Sequence, residues 1–376
     1  MVKDSFIQNV TDKPVVGLIG GYGSVGSVIA KQLSEQGSVK LIIAGRNKDK
    51  IDALVSTFHQ SIEGRVVNID DSKALSFFCR DCDIVVNCTG PSTLVKDKVI
   101  SQAASAGCHY VDPGIWHDAH GKYDKIMKEK HRIGLLFCGF IPGLTGILPR
   151  FLYKQSKSFF DVYEGMEIYC GDRSSWSEHA CMDILHYFIR GVPTGSYKNG
   201  RFNEKPFIFS FLNARKHKYP YGLGKFLVSP MYSNELDRLA AEMHIPSLSF
   251  YVGIFGWVAL MKLLFIRILP IRDQTAIGIL RKVLQREQKI HGSGGVIECK
   301  ILGRKNNKTK ICSVSLHDND TVTLTGICTA LAVDFLIKKQ IRESGVNLLC
   351  NCIDPVLFIE RLVKYGLNLD LNVLEN

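Results

Sequence analysis

The chain has 376 residues, and since single domains hold about 100–200 residues, this length favours two domains over one compact core. Hydrophobic residues make up 46% of the sequence and charged residues 22%, which excludes a disordered or fibrous protein. The net charge is +11, and residues 198–310 hold 20 Lys and Arg against 7 Asp and Glu. That segment favours an anionic ligand, partner or membrane, but without a zinc-finger or RNA-binding signature we expect no nucleic-acid partner.

The N-terminus and the cysteines indicate a reducing compartment. No basic patch is followed by an apolar core at the N-terminus, so we expect no secretory signal. The 12 cysteines are scattered through the chain, which predicts reduced thiols and a cytoplasmic location. Cys79 and Cys82, like Cys350 and Cys352, lack the paired spacing of a structural zinc site, so no metal is predicted.

The first third of the chain alternates apolar strands with helices. Strands are predicted at 15–19, 41–44, 66–69, 84–87, 109–112 and 135–138, and helices at 25–37, 49–58 and 99–106. Continuous apolar strands separated by helices predict a parallel sheet that is covered on both faces. The fold class is therefore α/β, with a doubly wound parallel sheet.

A glycine-rich turn follows the first strand and opens the first helix. Its Gly21-x-Gly23-x-x-Gly26 spacing permits a tight turn and lets the backbone approach a pyrophosphate at the positive end of the helix. The predicted dinucleotide contacts are Gly21, Tyr22, Gly23, Ser24, Val25 and Gly26. The alternative is a glycine-rich turn that binds no ligand.

The end of the second strand indicates which dinucleotide binds. NAD sites usually place Asp or Glu there, to bind the ribose 2′-hydroxyl, but here the first acid is Asp49. Arg46 can pair with a 2′-phosphate and stack on adenine, and Asn47 and Lys48 can add contacts. The cofactor prediction is therefore NADP, and the alternative is a solvated surface arginine.

Later strand ends add residues to the same site. Cys88, Thr89 and Gly90 follow the fourth strand, and Asp112 ends the fifth. Ligands of open α/β sheets lie at this carboxyl edge, so we expect these residues to line the nicotinamide ribose. Each segment is, in the alternative interpretation, only a turn.

Five segments together resemble the saccharopine dehydrogenase-like (saccharopine reductase) family over residues 14–150: residues 20–26, 44–47, 87–91, 110–112 and 142–144. The resemblance implies NADP and hydride transfer at a carbon–nitrogen bond of a small, amino-acid-like substrate, which the basic charge suggests is anionic. It also implies a homodimer and three parts. These are an NADP-binding Rossmann domain at 1–148, an inserted α+β domain for substrate binding and dimerisation at 149–320, and a helical segment at 321–376 that returns to the first domain.

The second half offers weaker site candidates. After a predicted strand at 163–170, a helix over 178–190 places His179, Asp183 and His186 on one face. That face is a candidate substrate surface or an ordinary exposed helix, and without a fourth ligand it predicts no zinc. Arg173 and Arg201 are candidates for binding a substrate carboxylate, or are surface residues.

Further along, strands at 296–302 and 310–316 form a predicted pair that completes a sheet in the second domain. A helix over 325–339 is predicted to pack on the first domain. The apolar segment 250–269 is interrupted only by Lys262 and Arg267, and its longest apolar run has 12 residues. Because a bilayer span needs about 20, we expect a buried helix, a dimer contact, a lid or peripheral contact with an anionic membrane.

Two other functions stay open. Tyr153 and Lys157 have the spacing of the catalytic pair in extended short-chain reductases, in which the Lys lowers the pKa of the Tyr. However, the serine expected about 13 residues earlier is replaced by Phe140. The other alternative is a regulatory protein that binds NADP without catalysis. Since an iminium substrate is itself electrophilic, no catalytic residue is assigned.

Overall fold

The structure is a computed structural model, and it describes residues 13–115, 119–174, 176–254 and 256–375. Two compact units make up this part of the chain. The first comprises the described residues up to Gly143 together with Val322–Ile353. The second comprises those from Leu144 to Thr321 and those from Asp354 onward.

The strands of the described residues, in chain order, are β1 Val15–Ile19, β2 Lys40–Gly45, β3 Glu63–Val66, β4 Ile84–Asn87, β5 His109–Asp112, β6 Ile133–Leu136, β7 Val162–Asp172, β8 Thr194–Lys198, β9 Arg201–Lys205, β10 Arg215–Tyr219, β11 Gly224–Met231, β12 Ser247–Ile254, β13 Gly295–Lys305, β14 Lys308–Asp318, β15 Gly345–Leu348 and β16 Asn368–Glu375.

The helices of the same residues are α1 Ser24–Gln36, α2 Lys48–Val55, α3 Ser72–Arg80, α4 Ser92–Val95, α5 Lys98–Ala106, α6 Ala119–Glu129, α7 Leu144–Ser156, α8 Glu178–Asp183, α9 Phe207–Leu212, α10 Asp237–Glu242, α11 Trp257–Ile268, α12 Asp273–His291, α13 Thr321–Ile337, α14 Leu349–Cys352 and α15 Pro355–Val363. Short 3₁₀ helices and one π-helix, Ile184–Ile189, lie between them.

A seven-stranded parallel sheet forms the centre of the first unit, in the order β15-β6-β5-β4-β1-β2-β3. Its central strands are apolar along their length, and most of their side chains are fully buried, as expected for a sheet covered on both faces. The predicted doubly wound α/β fold is confirmed. The edge strand β15, next to β6, comes from the C-terminal segment, which returns to this sheet.

Two strands of this sheet differ from the prediction. The third lies at Glu63–Val66 rather than 66–69, and the sixth at Ile133–Leu136 rather than 135–138. The third is an edge strand, and its residues Glu63, Gly64 and Val66 are exposed. An edge strand needs no continuous apolar run, so the apolar signal used for the prediction falls on the residues that follow it.

The second unit contains a nine-stranded mixed sheet in the order β10-β11-β8-β12-β7-β13-β14-β16, with β9 paired to β8. The predicted strand pair is present as β13 and β14, which extend to a two-residue turn at Asn306 and Asn307. Both turn residues have positive φ, 51° and 59°, which asparagine tolerates in a tight hairpin. The inserted α+β unit agrees with the predicted fold class.

The C-terminal segment contributes to both units, where the prediction placed all of 321–376 on the first. Helix α13 and strand β15 belong to the first unit. Strand β16 instead pairs antiparallel with β14 of the second sheet. Before it, Asp354 caps α15 and accepts a hydrogen bond from Lys154 of α7 at 2.8 Å, so α15 also belongs with the second unit.

The apolar segment 250–269 is split between two elements. Its first residues complete β12, in the interior of the second sheet, and its later residues form α11. The predicted helix over 178–190 is also divided, into α8 and the π-helix. None of the helices within the described ranges combines the length and the apolar character needed to cross a bilayer.

Candidate functional site

The register of the parallel sheet brings several strand ends to one edge. Ile19 of β1 is paired with Ala44 of β2 and with Asn87 of β4. Asp112 of β5 is paired with Leu136 of β6. The loops that follow these strands therefore begin side by side at the carboxyl edge, where open α/β sheets bind ligands.

At two positions of the turn after β1 there is room only for glycine. Gly20 has a φ of +76°, and its N–H donates to the Ala44 carbonyl at 2.8 Å. A Cβ on Gly20 would lie 2.8 Å from the Cys88 carbonyl oxygen. A Cβ on Gly26 would lie 2.6 Å from the Gly20 carbonyl oxygen, and such overlap with backbone cannot be relieved by a side-chain rotation. The turn is therefore wound closely against the first turn of α1.

The N-terminus of α1 is available to an anion. Gly23 is its N-cap, no side chain caps it, and its first turn contains no acidic residue. The first intrahelical hydrogen bond runs from the Ser27 N–H to the Gly23 carbonyl at 2.8 Å. The N–H groups of Ser24, Val25 and Gly26 precede that bond and have no intrahelical acceptor. With the positive end of the helix dipole, they fit a phosphate group.

Tyr22 connects this turn to the end of β2. A Cβ on Gly45 would overlap the Tyr22 ring, so Gly45 makes the space in which the ring lies. The Lys50 ammonium is 5.9 Å from the centroid of the same ring. The contribution of Gly45 was not foreseen, because the sequence contains no sign that Tyr22 packs on this strand.

Arg46 is the exposed cation directly after β2. It forms no side-chain hydrogen bond or ion pair with the residues that the structure describes, whereas Asn47 caps α2 by accepting from the Lys50 N–H at 3.0 Å. The nearby carboxylate, Asp70, accepts a hydrogen bond from Lys98 at 2.6 Å. Lys98 and, more weakly, Arg46 hold the pKa of Asp70 below its ordinary value. Arg46 is therefore free to pair with an anion.

Lys48, the third predicted contact of the 2′-phosphate, already has a partner. Its ammonium forms an ion pair with Asp52 one turn along α2. The pair raises the pKa of Lys48, chiefly through the hydrogen bond to Asp52. Among the predicted 2′-phosphate ligands, Arg46 is thus the side chain that the structure leaves unengaged.

A buried polar network lies at the ends of β4 and β5. The Asp112 carboxylate accepts from the Asn87 amide at 2.9 Å, from the Tyr110 hydroxyl at 2.5 Å and from the Gly114 N–H at 2.7 Å. Burial, with Asp112 beside it, raises the pKa of Tyr110 well above its ordinary value, so the hydroxyl stays a donor. The Asp112 side chain therefore stabilises the two loops from inside.

The same network orders the loop after β4. The Asn87 side-chain oxygen accepts from the Thr89 hydroxyl at 2.5 Å and from the Thr89 N–H at 3.2 Å. Burial raises the pKa of the Cys88 thiol, which stays protonated at neutral pH. The predicted contacts Cys88, Thr89 and Gly90 thus lie on one ordered loop. The supporting roles of Asn87 and Tyr110 were missed, and their only signal is a polar residue within a short buried strand.

The candidate pair Tyr153 and Lys157 lies in the second unit. The Tyr153 ring packs on Tyr163, with 5.2 Å between centroids. The Lys157 ammonium lies over the Tyr153 ring, 5.7 Å from its centroid, and Lys157 begins a 3₁₀ helix rather than continuing α7. The spacing in sequence thus brings the ammonium to the face of the ring.

The polar face predicted over residues 178–190 contacts α12 through His186. His179 is exposed on α8, and Asp183 ends that helix. Nε2 of His186 lies 2.8 Å from the Asp273 carboxylate, which also accepts from Arg190 at 2.7 Å. Within the described ranges, no group of three His, Cys, Asp or Glu side chains could hold a metal ion. These contacts join α12 to the π-helix.

The two candidate arginines differ in exposure. Arg173 is 1% exposed, donates to the Leu223 carbonyl, and has its guanidinium 4.5 Å from the centroid of the Phe226 ring. Burial lowers the pKa of Arg173 from its ordinary value. Arg201 is exposed at the start of β9. Arg173 therefore contributes to the interior of the second unit, and Arg201 is the more accessible cation.

Comparison with known proteins gives a family match for most of the first unit. Residues 16–133 match the family model of the saccharopine dehydrogenase NADP binding domain. A probable mitochondrial saccharopine dehydrogenase-like oxidoreductase from Arabidopsis thaliana is 24% identical over 164 residues, which cover 38% of this chain and 36% of that protein. The match thus spans about a third of that relative's length.

The fold of the whole chain also has a counterpart. The structure of apo saccharopine dehydrogenase (L-Glu forming) from Saccharomyces cerevisiae superposes with a TM-score of 0.70 at 14% identity, covering 96% of this chain and 100% of that one. At this identity the likeness extends to the fold alone. Together with the family match, it confirms the resemblance seen in the sequence: residues 16–133 are similar to the NADP-binding domain of saccharopine dehydrogenases, and the fold is similar to that of the yeast enzyme.

Proposed function

We propose that the protein is an NADP(H)-dependent oxidoreductase that transfers a hydride to or from a carbon–nitrogen bond of a small, anionic, amino-acid-like metabolite. The observation that carries the proposal is the pairing of two features at the carboxyl edge of the parallel sheet. One is the uncapped N-terminus of α1, and the other is the unengaged Arg46. The choice of a carbon–nitrogen bond rests on the match to the saccharopine dehydrogenase NADP binding domain and on the saccharopine dehydrogenase-like relative.

The residues present fit NADP. The close turn at Gly20 and Gly26 leaves the backbone uncovered, so that the N–H groups of α1 can hold a pyrophosphate. Arg46 offers a planar, permanently charged group for the 2′-phosphate, at the position where NAD sites usually have an acid. Asp70, whose charge interacts weakly with that of Arg46, is already paired with Lys98 and so does not neutralise this position.

When bound, the nicotinamide ring would supply the hydride acceptor or donor. The chain's own residues would orient the reactants and exclude water. The network of Asn87, Tyr110 and Asp112 fixes the loop that carries Cys88, Thr89 and Gly90. With an iminium substrate, which carries its own positive charge, orientation is enough and no acid is required.

An anionic substrate is supported by charge. Residues 198–310 hold 20 basic and 7 acidic residues, so this part of the second unit presents a positive field. Several of its acids are paired, including Glu298, which lies 2.7 Å from His217 and 2.9 Å from Lys300. A carboxylate-bearing substrate would approach such a surface faster than a neutral one, and the difference would shrink in high salt.

The function is tested by following NADPH oxidation with paired substrates. We expect turnover with an α-amino acid and an aldehyde or keto acid supplied together, and none with either supplied alone. Arg46→Ala should lose this activity at limiting NADPH and regain part of it at saturating NADPH. Arg80→Ala, which removes another exposed arginine of the first unit, is the matched control and should behave like the wild type.

Two results would contradict the proposal. Reduction of a carbonyl compound without any amine would move the reaction to a carbon–oxygen bond, and a loss of that activity in Tyr153→Phe would favour a short-chain type of reductase. Tight NADPH binding without turnover of any amine and carbonyl pair would instead favour a regulatory NADP-binding protein.

A further inference from the structure

Helix α11 is a surface helix whose outer side is apolar. The side chains of Trp257, Val258, Met261, Phe265 and Ile268 are each more than half exposed, and Leu269, directly after the helix, is 41% exposed. At 100° per residue these six positions fall within one arc of the helix. A surface helix of a globular protein normally places polar residues on this arc.

The inner side of α11 already accounts for its packing. Ala259, Leu260 and Ile266 are buried. The first two pack with Phe211 of α9 and Val283 of α12, and Ile266 packs with α12 and the π-helix. The outer arc is therefore not needed to hold the second unit together.

The neighbouring helix α9 extends the apolar surface. Its Ile208 and Leu212 are 52% and 61% exposed and lie four residues apart, so they share one face. We call the exposed residues of α9 and α11 the apolar face: Ile208, Leu212, Trp257, Val258, Met261, Phe265, Ile268 and Leu269. Soluble monomers rarely leave a contiguous apolar patch of this kind uncovered.

Basic residues border the apolar face. Lys262 lies at the edge of the exposed arc of α11, and Arg272, four residues after this helix, is the N-cap of α12; both are exposed. On α12, the exposed Lys282 and Arg286 come three and seven residues after Ile279, which packs on α11. They therefore belong to the side of α12 that faces this helix.

The acids nearby do not cancel this charge. Asp273, at the start of α12, is paired with Arg190 and contacts His186. Glu287 lies 3.9 Å from His291. The border of the apolar face is thus positive, and two copies of the chain that met through this face would bring like charges together.

We propose that the apolar face docks on the surface of an anionic lipid bilayer, with α11 lying in the interface. Apolar side chains would enter the boundary between headgroups and acyl chains, while Lys262, Lys282 and Arg286 would pair with anionic headgroups. Trp257 suits this position because its ring is apolar and its N–H is polar. Twelve residues of helix extend about 18 Å, which is too short for a hydrocarbon core of about 30 Å.

Vesicle flotation tests the proposal. The full chain is mixed with vesicles of phosphatidylcholine alone, or of phosphatidylcholine with phosphatidylserine. We expect binding to the anionic vesicles that weakens in high salt. Met261→Gln with Phe265→Gln should lower it roughly tenfold or more, because two large apolar side chains no longer enter the lipid.

The matched control removes apolar side chains elsewhere. Phe77→Gln with Leu371→Gln changes two residues that are 64% and 43% exposed and lie outside the apolar face, and it should bind vesicles like the wild type. A third variant, in which Lys262, Lys282 and Arg286 are all changed to Gln, should lose the preference for phosphatidylserine. In the wild type, vesicles should shift the tryptophan emission to shorter wavelength, and Trp257→Phe should abolish the shift.

Either of two results would overturn the proposal. One is vesicle binding that is absent, or equal in the wild type and the Met261/Phe265 variant, while both proteins bind NADPH and melt at the same temperature. The other is a wild-type dimer that ignores vesicles and becomes monomeric in that variant, which would assign the apolar face to a second copy of the chain.

Discussion

The two units differ in the direction of neighbouring strands, and this difference decides where polar residues at strand ends gather. In the first, the parallel strands β1, β2, β4, β5 and β6 all end at one edge, so the residues that follow them gather there. In the second, neighbouring strands run mostly antiparallel and their ends alternate between two edges. Polar residues near a strand end therefore point to a site in the first unit, but not in the second.

The side chains of the two units show the same contrast. In the first unit Arg46 is left unengaged at the edge of the sheet. In the second, His186 contacts Asp273 and Arg173 is enclosed beside Phe226. If the contrast is correct, changes at the carboxyl edge of the first sheet should alter cofactor binding. Changes at the enclosed polar residues of the second unit should leave cofactor binding unchanged.

The largest effect is expected for Gly26→Ala. Its Cβ would lie 2.6 Å from the Gly20 carbonyl oxygen and 2.7 Å from the Gly21 Cα, so the turn must shift away from α1. Losing two charge-assisted hydrogen bonds to phosphate should weaken NADPH binding about a thousandfold. Calorimetric titration with NADPH measures the change.

Gly121→Ala is the control for this variant. Gly121 lies in α6, where an added Cβ meets no atom within 4 Å. Because alanine favours helix over glycine by about 1 kcal/mol, this variant should be slightly more stable than the wild type and bind NADPH equally well. Equal binding by Gly26→Ala and Gly121→Ala would remove the turn from the binding site.

A smaller effect, on stability alone, is expected at the opposite edge of the same sheet. His109 begins β5, where its Nδ1 accepts from the Ile133 N–H at 3.1 Å. Burial, helped by the charge of Arg132, lowers the pKa of His109 from 6.5 to about 4. Protonation thus opposes folding, so the stabilisation is complete above pH 6.5 and is lost as the pH falls from 6.5 to about 4. About 3 kcal/mol is at stake.

His109→Asn separates this titration from that of the carboxyl groups, because asparagine keeps an acceptor for the Ile133 N–H but does not titrate. Urea unfolding at several pH values should show a shallower decline for the variant over this range, with NADPH binding unchanged at neutral pH. A decline as steep as that of the wild type would assign the acid sensitivity to other groups.

The sequence was most informative where burial on both faces makes a strand continuously apolar. This explains why the predicted bounds of β1, β2, β4 and β5 lie within one residue of the observed ones. The exposed edge strand β3, by contrast, begins three residues before its predicted start. The turn at Gly20 to Gly26 was also predictable, since its glycine spacing follows from backbone geometry alone.

What escaped prediction depends on neighbours that are distant in sequence. The link between Asn87 and Asp112 requires the register of two strands that are 25 residues apart along the chain. The division of 250–269 between β12 and α11 depends on pairing with β7 and β11, because an apolar run by itself fits either a buried strand or a helix.

The most direct test of the account compares NADPH and NADH binding to the wild type and to Arg46→Ala by calorimetry. If Arg46 pairs with the 2′-phosphate, the wild type should prefer NADPH. The variant should then lose about 1.5–3 kcal/mol with NADPH, roughly 10- to 150-fold in affinity, and bind NADH as before. Arg80→Ala should change neither affinity. Equal loss with both dinucleotides, or no loss with either, would contradict the assignment of Arg46 and, with it, the proposed cofactor geometry.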